Sequence, residues 1–474
     1  MVTCLHGRFT SAKGGALTYH DYAKQAVETL LHTFYDGRGH WRMCVAVCRS
    51  NNQDWGADAL TYTLFLHWQT THDAAVVRYF QALEQTAPMY GPPCTSAPCK
   101  GWSDVPEWDS VAALRDYEVT ADPIALDKAK AAYQRVEGSH AYALGACPGV
   151  RYQVPFGGGG GLKTLETDAN AIKAGLLLYR FTKESAYLTD AMKRYAAVRQ
   201  YFLDPQVPLY SVYLYDNGTT CTQLPRRFFA SVNGLMTYNG FLLAQLTGKM
   251  TYSGDAQATA SAISQNLADA RGIYEDLQAE NDVVEPLVES MYDLADTGNS
   301  FARAWIMTNA AAAVSARKLD GSYGRLFGGP PPSSPVTSWQ TNGGLSLEIA
   351  ASALSGKGSP AAIHEWQDAT FVENSVTKLP ATLHFTGSRI ALIGTLGEVC
   401  CQPGHARVFI DGRETFDKTG IWQNKSSSGH TFPNALLFAW QWHSTGKHTL
   451  QFYPGVDNPK EGPSFLHLQR YFFR

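Results

Sequence analysis

The chain contains no run of about eighteen apolar residues, so the sequence excludes a membrane-spanning helix. It is also poor in charge. Only 17% of residues are Asp, Glu, Lys or Arg, and 39 basic against 42 acidic side chains leave a net charge of −3. With no basic excess, neither nucleic acid nor an anionic membrane is an expected partner. No C-x-x-C knuckle or Cys/His set at ligand spacing occurs, so no metal and no cofactor is expected. G-x-S-x-G, H-E-x-x-H and dinucleotide fingerprints are missing too, which removes serine-hydrolase, zincin and Rossmann readings. The five glycines at 157–161 precede no G-K-[ST], so they form a loop rim and no phosphate cradle. The N-terminal MVTCLHGRFTSAKGG lacks the apolar core of a signal peptide, which leaves a cytosolic protein or a sequence beginning after a removed signal.

What is present is a long, core-forming chain of 474 residues, 45% of them apolar and 12% aromatic. That length predicts one large domain and a smaller one, in a chain expected to be monomeric. The cysteines number nine. Cys44 with Cys48, Cys94 with Cys99, and adjacent Cys400 and Cys401 suggest short-loop disulfides in an exported protein, with at least one thiol left over. Asn217 and Asn424 head glycosylation sequons.

Helical periodicity runs through residues 19–34, 54–69, 257–270, 282–294, 301–317 and 344–354. Between them an ending recurs: an apolar helix, a polar turn carrying a threonine, then a second helix. The threonines are Thr71, Thr120, Thr182 and Thr247. A helix pair repeated in this way buries both faces only by packing against its copies. Long Gly- and Pro-rich connections at 146–163 and 327–340 point to a closed (α/α)6 toroid rather than an open solenoid, because such loops build sites. After the linker at 352–362, alternating segments at 381–394, 406–416, 434–442, 447–455 and 464–473 replace the helices. Turn signals at 386–388, 411–412 and 445–447 divide them, predicting a jelly-roll β-sandwich. The expected domains are thus 1–355, mostly α, and 356–474, all β. Trp422, Trp440, Trp442 and Tyr453 are either stacking residues or core.

The chemistry concentrates in residues 102–129. Asp104, Glu107 and Asp109 lie between and beside Trp102 and Trp108, the mixture a sugar-cleaving site needs. The same stretch reads as a helix start, with Asp104 as N-cap, Glu107 closing a capping box and Pro106 in the first turn. Glu166 and Asp168 begin a later helix, and again Asp168 is either a cap or a site carboxylate. Trp55 and Asp58 open the second helix as a possible platform and hydrogen-bonding group. Arg226 precedes the helix beginning near residue 230, and Trp305 and Trp339 come from the last helices. Glu280, Asp282, Glu285 and Glu289 at helical spacing read as a solvated face.

Three blocks, WSDVPEWDSVAALRDYEVTADPIALDKA, LKTLETDANAIKAGLLLYRFTKESAYLTDA and SVNGLMTYNGFLLAQLTGKMTY, resemble glycoside hydrolase family 76, the α-1,6-mannanase-like (α/α)6 barrels. The resemblance spans about residues 20–355. It implies two adjacent aspartates, nucleophile and acid/base of a retaining mechanism, four residues before a tryptophan. Trp108, Arg115, Tyr117 and Thr120 place Asp104 on the first and Val105 on the second, so one carboxylate is lost. Lys163 falls on a family lysine, Asp168 where the family tends to have Asn, and Asn233 on the Gln of a Gln-Gly pair. The sandwich pattern resembles galactose-binding-like modules of carbohydrate-active enzymes. The implied function is hydrolysis of a polysaccharide or oligosaccharide, α-mannan-like. A different glycan (glucan, arabinan or a uronic-acid polymer) and a non-catalytic glycan-binding protein are the alternatives. Asp168, Glu166 and Asp109, in that order, are the expected partners of Asp104, with Trp102, Trp108, Trp55, Asp58, Lys163, Asn233, Arg226, Trp305 and Trp339 around the sugar.

Overall fold

A computed structural model describes residues 16–44, 51–52, 55–86, 103–137, 145–151, 161–223, 228–275, 283–333, 336–360, 366, 370–376, 380–397, 403–414, 421–424, 431–454 and 468–474. Twelve α-helices lie among them: α1 (Tyr19–Thr29), α2 (Trp55–Thr71), α3 (Val77–Thr86), α4 (Asp104–Thr120), α5 (Pro123–Glu137), α6 (Leu165–Thr182), α7 (Ser185–Phe202), α8 (Ala230–Thr247), α9 (Met250–Asn266), α10 (Glu285–Asp296), α11 (Ser300–Ala316) and α12 (Ser338–Ser355). A π-helical turn, Leu30–Phe34, extends α1.

The even-numbered helices pack in the order α2, α4, α6, α8, α10, α12, and α12 returns to α2. They form a closed inner ring, with the odd-numbered helices outside it. Inner helices are buried on nearly every face over their first two-thirds, which fits sequences such as AIKAGLLL with no polar stripe. Close approach between inner helices needs small residues at the crossing. At Gly234 on α8, an added Cβ would stand 2.5 Å from the backbone nitrogen of Leu287 on α10.

The recurring threonines end four inner helices, and each uses its hydroxyl in the same way. Thr71, Thr120, Thr182 and Thr247 donate to the carbonyl four residues back at 2.7, 2.8, 2.8 and 2.6 Å. Each also accepts from the backbone N–H two residues on. The following residue, His72, Ala121, Lys183 or Gly248, is left-handed and turns the chain into the outer helix. Ser355 repeats the back-bond at the end of α12, 2.6 Å to Ala351, before Gly356. The short polar turn is thus a helix terminator copied around the ring.

Two small sheets decorate the ring: β1 (Trp41–Arg42) with β2 (Asn51–Asn52), and β3 (Leu162–Thr164), β4 (Tyr213–Asp216) and β5 (Cys221–Gln223) in that order. A disulfide joins Cys147 to Cys221 across 74 residues, so the described bridge is long-range and not the short-loop type expected from spacing. Sheet pairing of β4 with β5 and of β3 with β4 carries Cys221 back to the start of α6, where Cys147 also lies. Cys44 is disulfide-bonded as well, while Cys48, Cys94, Cys99, Cys400 and Cys401 lie outside the described residues.

The C-terminal strands are β6 (Thr370–Val376), β7 (Ala381–Gly397), β8 (Pro403–Ile410), β9 (Arg413–Glu414), β10 (Ile421–Asn424), β11 (Thr431–Pro454) and β12 (Leu468–Phe473). Hydrogen bonds join them into a single antiparallel sheet in the order β10-β8-β11-β7-β12-β6, with β9 on β8. The turn signals at 386–388 and 445–447 are bulges facing each other inside two long strands, because the register shifts between Gln441 and Gly446 and no reversal occurs. Gly387 is required there, since a Cβ would meet the Arg474 carbonyl at 2.6 Å. Asp411 and Gly412, both with positive φ, do reverse the chain from β8 into β9. One face of the sheet packs Ala391, Ile393, Leu436 and Ala439 on Leu326 of the helical ring. Gln441 fixes that contact: its backbone N–H donates to Asp269, its amide donates to the Gly328 carbonyl at 2.6 Å, and its oxygen accepts from Arg271 at 2.9 Å.

Ala121 holds a left-handed conformation that glycine adopts without strain. Ala121→Gly is expected to raise stability by about 0.5–1 kcal/mol, and Thr120→Val to lower it by about 1 kcal/mol, both read from urea unfolding midpoints.

Candidate active site

All six inner helices begin at one end of the ring, because an outer helix running back separates each from the next. Their first turns carry Trp55 and Asp58 on α2, Asp104 and Glu107 on α4, Glu166 and Asp168 on α6, Asn233 on α8, Glu285 on α10 and Trp339 on α12. Trp55 stacks on Trp339 at 4.9 Å and 19°, which makes one aromatic platform where α2 and α12 start. One turn below Asp104, Trp108 stacks on Tyr62 at 5.8 Å, and the Tyr62 hydroxyl donates to the Trp108 carbonyl at 2.9 Å. Asp58 lies one turn above Tyr62. Two acidic residues, Asp58 and Asp104, therefore sit at equivalent heights on neighbouring inner helices, over an aromatic floor.

The capping-box reading fails. Ser103 is the N-cap of α4 and makes no side-chain cap, Asp104 is the first helical residue, and Glu107 turns to Arg151 at 2.5 Å. Asp168 is likewise no N-cap, for that position is Thr164. Asp168 accepts from the backbone N–H of Arg151 at 3.1 Å and faces Arg194 at 3.6 Å. Arg194 in turn holds Asp190, which also receives the Tyr133 hydroxyl. Burial pushes Glu107 and Asp168 each up to about 7, against the pull of the arginines. The structure therefore brings Asp168 to Glu107 and to the guanidiniums between inner and outer helices. Of the other expected partners of Asp104, Asp109 is buried on α4 and Glu166 is half-buried.

Lys163 and Asn233 belong to the scaffold. The Lys163 ammonium donates to the carbonyls of Cys147 and Val150, both at 2.8 Å, and pairs with Asp216 at 3.1 Å. Those three partners use its three N–H donors, leaving none for a sugar. Asn233 bonds both backbone groups of Tyr210 and the Phe229 carbonyl, fixing the entry to α8. Asn342 does the same at α10, accepting from the N–H groups of Val284 and Glu285. Trp305 lies on the outer helix α11, buried against the inner layer, and not at the ring mouth. Trp102 and Arg226 lie outside the described residues.

The residues that sequence reasoning missed run down the ring axis. Glu289 is 1% exposed and receives both Arg115 and Lys173, the latter at 2.5 Å. Arg115 also donates to the Tyr238 hydroxyl at 3.1 Å, and the Lys173 ammonium lies over the rings of Tyr238 (4.4 Å) and Tyr62 (5.2 Å). Glu285 is 0% exposed. The expected solvated face at 280–289 is therefore corrected, for Glu285 and Glu289 point inward. The signal lay in Val283, Val284, Leu287, Val288 and Met291, the apolar residues that flank Glu285 and Glu289.

Two outcomes follow for this framework. Glu289→Ala strands two cations on the axis and should cost about 3–5 kcal/mol in unfolding free energy, measured by urea denaturation. Asp216 is opposed by burial but lowered to about 2 by the N–H groups of Ala146, Gly218 and Cys147 and by Lys163. Its folded value lies below its unfolded one, so its stabilisation is present above about pH 4 and lost as pH falls through about 2. The stability gap between wild type and Asp216→Asn should be widest above about pH 4 and close toward pH 2 in thermal melts.

Solved structures share the fold, among them those of three proteins. The α-1,6-mannanase of Salegentibacter sp. is 19% identical, with a TM-score of 0.61, over 71% of this chain and 100% of that one. An inactive variant of it, with two adjacent aspartates changed to asparagine, was solved with α-1,6-mannotriose. A family 76 α-mannanase of Bacteroides thetaiotaomicron is 16% identical, with a TM-score of 0.58, over 71% of this chain and 95% of that one. Dfg5 of Chaetomium thermophilum, solved with glucosamine, is 14% identical, with a TM-score of 0.54, over 72% and 92%. No curated protein matches the chain in sequence. The model of glycosyl hydrolase family 76 matches residues 18–328, and the chain, a glycoside hydrolase on a ring of paired helices, belongs to that family.

Proposed function

We propose that this glycoside hydrolase cleaves an α-1,6-linked mannan, with Asp104 as the carboxylate that meets the reacting sugar. The observation that carries the reading is the place of Asp104: first residue of α4, outside any capping box, at the ring mouth above the Trp108–Tyr62 stack. A pyranose needs an apolar face to stack on and a carboxylate at its anomeric carbon, and this mouth supplies both. The Trp55–Trp339 platform is assigned to a neighbouring sugar, with Asp58 hydrogen-bonding a hydroxyl. The substrate is inferred from the Salegentibacter enzyme, whose inactive variant holds α-1,6-mannotriose. Val105 favours a second reading, in which the ring is kept and the glycan differs.

The same proposal divides the chain into a catalytic unit, 1–355, and a β unit, 356–474, read as a jelly-roll-like module. Contacts of Gln441 with Asp269, Gly328 and Arg271 support bracing of the ring as a role for the β unit, beside any glycan binding. The Cys147–Cys221 bridge fits export to an oxidising compartment. No helix among the described residues is long and apolar enough to cross a membrane.

Reducing-end release from α-1,6-mannan, with glucan, arabinan and uronic-acid polymers beside it, tests the function. Wild type should cleave the mannan, and Asp104→Asn should lose about 10³-fold or more in kcat while still binding mannotriose by calorimetry. Cleavage of another polymer alone would move the chain to the second reading. Binding without any cleavage would make it a glycan-binding protein, and full activity in Asp104→Asn would remove Asp104 from the site.

A further inference from the structure

Val105 leaves this chain one carboxyl short, and the buried acids can be sorted by what already occupies them. Glu107 is held by Arg151, Asp168 by Arg151 and Arg194, Glu289 by Arg115 and Lys173, and Asp216 by Lys163 and three backbone N–H groups. Asp293 receives Gln69 far down α10, and Asp116 takes the Thr120 hydroxyl near the end of α4. Two fully buried glutamates remain whose carboxyl oxygens have no hydrogen-bond partner among the described residues, Glu285 and Glu348. Glu348 lies nearly three turns into α12, beside Tyr19, Tyr22 and Tyr323, away from the mouth. Glu285 is the first residue of α10, at the mouth.

We propose that Glu285 is the second catalytic carboxyl of this enzyme, the proton donor that works with Asp104 where Val105 offers none. The proposal rests on the reading of Asp104 given above. Glu285 sits one turn above Glu289 and acts electrostatically on Tyr62, the residue stacked on Trp108 one turn below Asp104. Like Asp58 and Asp104, which are 0% and 3% exposed, it is buried, and all three stand in the first turn of an inner helix. Its backbone N–H is fixed by Asn342, which holds the first turn of α10 in place.

The groups facing it are Glu289, Lys173, Arg115 and Asp293. Burial and the Glu289 charge hold Glu285 protonated well above the ordinary carboxylate range, while Lys173 and Arg115 pull the other way and are already neutralised in part by Glu289. A carboxylic acid kept neutral is what a leaving group needs. As the glycosidic C1–O bond breaks, Glu285 gives its proton to that oxygen and the Asp104 carboxylate bonds C1. In the second half, the Glu285 carboxylate takes a proton from water, whose oxygen displaces Asp104 from C1 and restores both groups.

Glu285→Gln keeps the volume and neutrality of the protonated acid, so the fold should survive, as a thermal melt will report. Two substrates then separate chemistry from structure: α-1,6-mannan, which needs its leaving oxygen protonated, and a dinitrophenyl α-mannoside, which does not. The variant should lose about 100-fold or more in kcat/KM on mannan, stay within about tenfold of wild type in kcat/KM on the aryl glycoside while its kcat there falls and is restored by azide, and lack the alkaline limb of the pH profile. Equal loss of kcat/KM on both substrates with the fold intact, or unchanged mannan cleavage, overturns the proposal. So does finding that pattern in Asp58→Asn instead, which would put the acid on α2. If wild type cleaves neither substrate, the mannanase reading itself fails first.

Discussion

Glu289 is the interaction on which the helical ring turns. One carboxylate, buried on the axis, receives an arginine from α4 and a lysine from α6 while standing on α10. Three of six inner helices are tied to a single point, and removal of the carboxylate would leave positive charge in a medium that cannot solvate it. Tyr62 and Tyr238 line the same axis and take the cations on their ring faces. An all-apolar axis of the same volume would often be as stable, so the charges matter here for the three helices they join. The layer above holds Asp58, Asp104 and Glu285, in the first turns of their helices.

A second set of charges does a different task. Arg151 and Arg194 bind Glu107 and Asp168 between the inner and outer layers and thereby fix the segment leading into α6. Lys163, Asp216 and the Cys147–Cys221 bridge pin the same region from the other side. Acids near the ring mouth thus divide into those that hold the walls and those proposed for chemistry. Proximity in sequence does not sort them; their partners do. Asp168, first among the expected partners of Asp104, is a wall residue in its contacts.

The same division explains how far reading residues could go. The threonine turns were legible because a hydroxyl after an apolar helix has one favourable use, bonding the carbonyl one turn back, and that use is local. Helix positions were legible for the same reason. Glu285 and Glu289 were misread as solvated because periodicity cannot tell an inner helix from an outer one when both neighbours are apolar. Turn signals at 386–388 and 445–447 misled likewise: a glycine that allows a bulge looks the same as one that allows a reversal.

By itself, the sequence determined the paired helices, their terminators, the shift to strands after residue 355 and the stretch that carries Asp104. All of these depend on contacts within about one turn or one strand, where residue type and spacing act directly. Only the tertiary structure decided which acids are spent on arginines, in what order the described C-terminal strands pair, and that Glu285 stands at the mouth. Those outcomes depend on which distant side chains share a low-dielectric interior, and burial is a property of the closed ring that no local segment possesses.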